Sequence, residues 1–301
     1  MAKGNLEMKL PADLTVDYKF TEYLEKRCSE LDLLHSYDVG EDGTEEISLA
    51  VINLNPSPTA STPTFAGVNA DNFIYPCSIY KMYVAGALLS LIDQGKYDLY
   101  QQVTVESPND VDRSKEIPTD PRPLLAAGDL VTINYLLDLM ITRSDNTAAN
   151  CCIDLATRPA INKILAKYNY AGSEVTRKYL SRSKEDEGYA DVPSTMTCAL
   201  HTSDFLYRVA TNQFESPWVS KQLMTLLGRQ LDKSKLALGL PASAMTYHKT
   251  GWFSYWSGDC MIVSDNTANY VISLILPIPD EDAKPIYKQL AADIHDYIIN
   301  L

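Results

Sequence analysis

Between Ser78 and Asp93 the chain is apolar on every side: Ile79, Met82, Val84, Ala85, Ala87, Leu88, Leu89, Leu91 and Ile92 leave no polar face. A helix of that kind has to be surrounded by protein, so the rest of the chain must be arranged around it. Gly95 supplies its C-terminal stop. The segments before it read as a helix from Asp13 to Leu34 and a strand from Ile47 to Ile52 covered on both faces. The Pro-, Ser- and Thr-rich stretch Asn55 to Thr64 then reads as a hairpin loop, closed by a short strand around Phe65 to Val68.

The far end repeats this character. Ala244 to Lys249, Asp259 to Ser264 and Tyr270 to Pro277 are β-like runs between turn residues. Asp282 to Ile299 is a closing amphipathic helix with Ile286, Leu290, Ile294, Tyr297 and Ile298 inward. The middle is helical over 131–140, 146–155, 160–168, 202–210 and 217–229, broken by a charged loop from Arg177 to Asp191. Strands at both ends and helices between them predict an α+β fold, an α/β sandwich: an antiparallel sheet with flanking terminal helices plus an inserted all-α domain. Residues 1–74 and 214–301 form the discontinuous sheet domain and 75–213 the all-α domain, with the active site in the cleft between them.

With 26 Lys and Arg against 39 Asp and Glu, the net charge is −13. That excludes the basic face a nucleic-acid binder uses to replace phosphate counterions, and disfavours an anionic membrane surface. The longest apolar runs, such as Tyr270 to Ile278, are too short for a membrane span. The six cysteines lack zinc or redox spacing and sit among apolar neighbours, as small buried thiols do. The start, Met1-Ala2-Lys3-Gly4-Asn5, has no apolar segment of a secretory leader, so the chain either stays inside the cell or a leader has been trimmed.

Three short patterns occur in order: Ser78-Ile79-Tyr80-Lys81, Ser144-Asp145-Asn146 and Lys249-Thr250-Gly251. Ser181 to Lys184 and Ser264-Asp265-Asn266 repeat the first two, but in a charged loop and a strand-connecting turn, which marks them as decoys. Ser78 opens the buried helix, beside unpaired backbone N–H groups and the positive end of the helix dipole. Lys81 shares its face one turn on. Desolvated and near a second cation, such as Lys249 on an edge-type strand, Lys81 could lose its proton and act as base toward Ser78.

This ordered triplet resembles the penicillin-binding protein and class A β-lactamase family. The approach Asn69-Ala70-Asp71-Asn72-Phe73, the run Ile141 to Asn150 and Gly239-Leu240-Pro241 ahead of Lys249 are similar to the family too, from roughly Ile47 to the C-terminus. The resemblance implies Ser78 as nucleophile, Lys81 as its proton acceptor and Ser144 as a shuttle to the leaving nitrogen. Asn146 would bond the substrate amide, and Lys249, Thr250 and Gly251 would hold its carboxylate end. The N–H groups of Ser78 and Trp252 would form the oxyanion hole. Lys235 falls where some members bind a carboxylate; otherwise it is a solvated surface lysine.

One part departs from the pattern. The family's class A branch clears its acyl-enzyme with a glutamate and a water held in a loop. The usual Glu with an Asn four residues later is missing. Counting forward from Ser144 reaches Arg182, and counting back from the 202–210 helix reaches Glu187, with Ala190 and Asp191 in place of Leu and Asn. Glu185 is a rival, and either glutamate could be a solvated loop carboxylate. Trp252 and Phe253 stand where some relatives carry a cysteine that bridges to the position of Cys77, so that bridge is not expected. His248 could tune the site or be structural. Trp252, Phe253, Tyr255 and Trp256 could wall the cleft or only pack.

The resulting expectation is a β-lactamase acting through a Ser78 acyl-enzyme, with antibiotic resistance as the implied role. The alternatives are a D,D-peptidase or esterase and a covalent β-lactam or cell-wall receptor with poor deacylation. No metal or organic cofactor is implied. The partner is a small β-lactam or peptidoglycan-like substrate, with no nucleic acid and no membrane span, and the chain is expected to be a monomer. Export to the periplasm or exterior, with the leader absent, is the implied location, beside a cytoplasmic alternative.

Overall fold

The computed structural model describes residues 10–40, 43–54, 62–111 and 120–301; most of the expected 55–64 hairpin loop lies outside them. The strand pattern of the two ends assembles as expected. β1 (Thr15–Val16), β2 (Ser48–Asn53), β3 (Thr64–Val68), β6 (Met245–Phe253), β7 (Trp256–Ser264) and β8 (Asn269–Leu276) join one sheet in the order β1-β3-β2-β8-β7-β6. All pairs are antiparallel except that of the two-residue β1 with β3. A two-stranded ribbon, β4 (Gln102–Thr104) with β5 (Leu130–Thr132), stands apart from it.

Period-two alternation sorts β2 between two cores. Ala50 and Ile52 join a cluster with the central helices. Leu49 and Val51 join another with α1 (Tyr18–Glu30) and α8 (Asp280–Ile299), whose Tyr287, Leu290 and Ile294 are buried there. Gly239 lies so close to α8 that a Cβ on it would stand 2.1 Å from the carbonyl oxygen of Lys288, which explains the glycine of Gly239-Leu240-Pro241.

The apolar run becomes a 3-10 turn, Cys77–Tyr80, feeding α2 (Lys81–Asp93), with every residue from Cys77 to Ser90 buried. α3 (Ile133–Thr142), α4 (Asn146–Ala156), α5 (Arg158–Lys167) and α7 (Pro217–Leu227) surround α2, while α6 (Ala199–Ala210) lies against β2, β7 and β8. Residues of α7 and of the inner sheet face belong to one continuous core with α2. Several boundaries differ from the sequence pattern; the N-terminal helix, expected over Asp13 to Leu34, runs only Tyr18–Glu30. Ser78 sits in the turn before α2 rather than on its first α-helical residue, α6 starts three residues early, and β6 runs on through the third motif. All six cysteines are buried and unbridged, Cys77 included.

Candidate active site

The three patterns meet in one place. Lys81, wholly buried, points its Nζ at Ser144 O (2.7 Å), Ser144 Oγ (3.2 Å) and Asn146 Oδ1 (2.6 Å). From the edge strand β6, the equally buried Lys249 donates to the same Ser144 Oγ at 2.9 Å and to Thr250 O at 2.6 Å. One hydroxyl thus lies between two lysine nitrogens. Ser78 Oγ is buried and makes no hydrogen bond among the described residues. Its backbone abuts the third motif, since a Cβ on Gly251 would lie 2.6 Å from Ser78 N, a gap only glycine leaves open.

Local strain and capping set these positions. Cys77 and Ser144 both hold positive φ, 52° and 62°, the left-handed region that costs a non-glycine residue about 1–3 kcal/mol. At Ser144 the surrounding bonds carry that cost. Asp145 caps α4 through Ala148 N (2.8 Å) and pairs with Arg143 (2.9 Å), and Arg143 also donates to the carbonyls of Arg122 and Pro123.

Beneath β6 lies a second polar layer. Lys235 is buried rather than a solvated surface lysine, and it does not face the cleft either. Its Nζ bonds Gly251 O (2.7 Å) and pairs with Asp280 (2.8 Å), so it supports the third motif from behind. Burial alone would raise the carboxyl of Asp232, but Lys235 and the hydroxyls of Ser234 and Thr250 hold it down at about 2. His248 is buried against Asp259 (Nδ1 to Oδ1 3.0 Å), below the site rather than in it. Trp252 and Phe253 line the cleft, while Trp256 packs edge-on against Tyr75.

The loop brings no carboxylate to this centre. Glu187 is exposed. Glu185 is turned inward: its carboxylate pairs with Arg158, approaches Arg177 at 4.0 Å and accepts from Lys178 N at 3.1 Å. The loop residue that does reach the site is Tyr179, which sequence reasoning missed. Its ring centroid lies 4.3 Å from Lys81 Nζ and it stacks on Tyr80. Burial, with Tyr80 beside it, pushes its phenol well above the usual range, so it stays neutral. Its hydroxyl is within electrostatic reach of Ser78 yet forms no bond of good geometry. Asn150 clamps its backbone from α4, accepting from Tyr179 N (2.7 Å) and donating to Tyr179 O (3.3 Å). That asparagine, one turn after Asn146, was the available signal, though it could not name its partner. The cleft above holds about 310 Å³, and no described Asp or Glu lines it.

A buried serine and a lysine pair thus lie between a helical layer and an edge strand. A family model described as "Beta-lactamase enzyme family" matches residues 35–298, and the chain belongs to that family. Its fold is shared by solved structures of low identity. A mutant of PBP-A, solved as an acyl-enzyme complex with penicillin G, is 18% identical with TM-score 0.75, covering 97% of this chain and 100% of that one. A β-lactamase from Sphaerobacter thermophilus DSM 20745 is 15% identical (TM-score 0.72; 95% and 99% covered). A reconstructed ancestral class A β-lactamase of Gram-negative bacteria is 20% identical (TM-score 0.71; 92% and 99% covered). A search of curated proteins finds no match. Family and fold support a hydrolase of β-lactamase or penicillin-binding type, and no helix among the described residues is long and apolar enough to cross a membrane.

Proposed function

We propose that the chain is a serine hydrolase acylated on Ser78 by β-lactams and related amides, and that it clears the resulting ester slowly. The carrying observation is the convergence of Lys81 and Lys249 on Ser144 Oγ beside Ser78. Lys81, beside Lys249, takes the Ser78 proton as Oγ attacks the carbonyl carbon. The N–H groups of Ser78 and Trp252 receive the oxyanion. Ser144 passes a proton to the departing nitrogen as the C–N bond breaks, Asn146 bonds the substrate amide, and Lys249 with Thr250 takes the substrate carboxylate. The helical part, 75–213, and the sheet part, 1–74 with 214–301, both contribute residues to the cleft. A wall-derived substrate implies an exported protein.

A fast β-lactamase is the reading the family name suggests. The loop wall favours the slower one, because hydrolysis of the ester needs a base for water and Tyr179 is a neutral phenol. Intact-protein mass, followed over time with benzylpenicillin and a chromogenic cephalosporin beside Ser78→Ala, tests both. The expected result is an adduct that forms only with Ser78 and persists. Rapid clearance with colour turnover would replace slow deacylation with a β-lactamase, and no adduct would end the acyl-transfer reading.

A further inference from the structure

We propose that this site prefers acyl donors whose side chain carries a carboxylate, received by Arg177 and Arg182 on the loop side of the cleft. The proposal rests on the acyl-transfer reading and adds the charge of the substrate to it. In a chain of net charge −13, the described charged side chains lining the cleft, Arg177, Lys178 and Arg182, are all cationic.

The loop's own carboxylates do not cancel them all. Asp186 bonds Arg158 at 2.7 Å and Lys178 at 2.9 Å, and Asp154 also pairs with Lys178, so that lysine is spent internally. Glu185 serves Arg158 and reaches Arg177 only at 4.0 Å. Arg182 is exposed and its one hydrogen bond among the described residues goes to a carbonyl, Ala190 O, at 2.7 Å. Among the described residues no carboxylate pairs with it. Two planar guanidinium groups at a cleft edge suit a carboxylate, which they can bind through paired N–H donors. Low-dielectric walls focus that field, and the aromatic rings of Tyr75 and Phe253, 6.3 Å apart edge-to-face, supply such a wall. The occupant is therefore an apolar body ending in a carboxylate, distinct from the carboxylate assigned to Lys249 and Thr250.

The test compares acylation rates with benzylpenicillin, its α-carboxy derivative and its α-amino derivative. Near pH 6 the added carboxyl, with a pKa of about 3.5, is ionised and the added amine, near 8, is protonated. The expected order is carboxy, then unsubstituted, then amino, with about a tenfold spread that narrows as salt is added. Arg182→Gln should shrink the spread and Arg177→Gln with Arg182→Gln should abolish it; the exposed single variant guards against loss of fold in the double. Equal rates, or the reverse order, in the wild-type chain would overturn the preference. A spread that survives both variants would overturn its assignment to these arginines. If none of the three forms an adduct, the acyl-transfer reading has itself failed, which is a separate outcome.

Discussion

The two walls of the cleft are built on different principles. On one, Lys81, Asn146 and Lys249 project from regular elements and meet each other or Ser144, in the turn between α3 and α4, within hydrogen-bond distance. On the other, the loop from Arg177 to Asp191 commits Glu185 and Asp186 to Arg158 of α5 and to Lys178, and offers the nucleophile a phenol. Chemistry set on helices and an edge strand is fixed by the fold. Chemistry set on a loop depends on which charges the loop consumes to hold itself together.

The largest expected effect tests the first wall. Lys81→Met fits the apolar surroundings of α2 but removes the proton acceptor, so acylation should slow by about a thousandfold, the range of a lost general base. Mass-based acylation rates, with thermal melting to confirm the fold, check this. A change under about tenfold would place the acceptor elsewhere and erase the contrast between the walls.

The next three predictions act on the loop. Glu185→Gln leaves Arg158, only 6% exposed, with Asp186 as its carboxylate partner, and should cost about 2 kcal/mol in urea unfolding, the range of one lost hydrogen bond to a charged group. Glu187→Gln should stay within about 0.5 kcal/mol and leave the adduct lifetime unchanged, as an exposed substitution does. A shortened or lengthened adduct lifetime in Glu187→Gln would bring that residue back into the site. Tyr179→Glu offers water a base beside Ser78 and should hasten clearance of the adduct by about a hundredfold. An unchanged lifetime would mean that water, not a base, is what the loop withholds.

The same contrast explains what could be read without coordinates. Ser78, Lys81, Ser144 and Lys249 were legible because fixed spacing on a buried helix, a helix start and a strand puts side chains on predictable faces. The strands at both ends announced the sheet through alternation and turn residues. Lys235 was misplaced because its partners, Asp280 and the carbonyl of Gly251, are distant in sequence and no local pattern signals a buried ammonium. Tyr179 was missed for the opposite reason. Attention went to loop carboxylates, while the position that faces Ser78 is chosen by the clamp from Asn150 across 29 residues. Loops carry no period from which facing could be deduced.

Acid should separate the two walls energetically. His201, on α6, ties together the segments that flank the loop: its Nδ1 meets Ser173 Oγ at 2.7 Å, and that hydroxyl meets Thr197 Oγ1 at 2.7 Å. Burial pushes its imidazole down to about 4. The unfolded chain, with an ordinary histidine near 6.5, therefore binds a proton that the native state refuses between those values. The stability tied to His201 is complete above about 6.5 and is lost as pH falls toward 4. Asp232, behind β6, is held at about 2 against an ordinary carboxyl near 3.9, so its share is complete above that value and is lost as pH falls from there to about 2. Each contribution is on the order of 2 kcal/mol. Urea midpoints across pH should thus fall through two windows, the upper removed by His201→Gln and the lower by Asp232→Asn. If His201→Gln flattened the lower window instead, the loop and the edge strand would not be anchored independently.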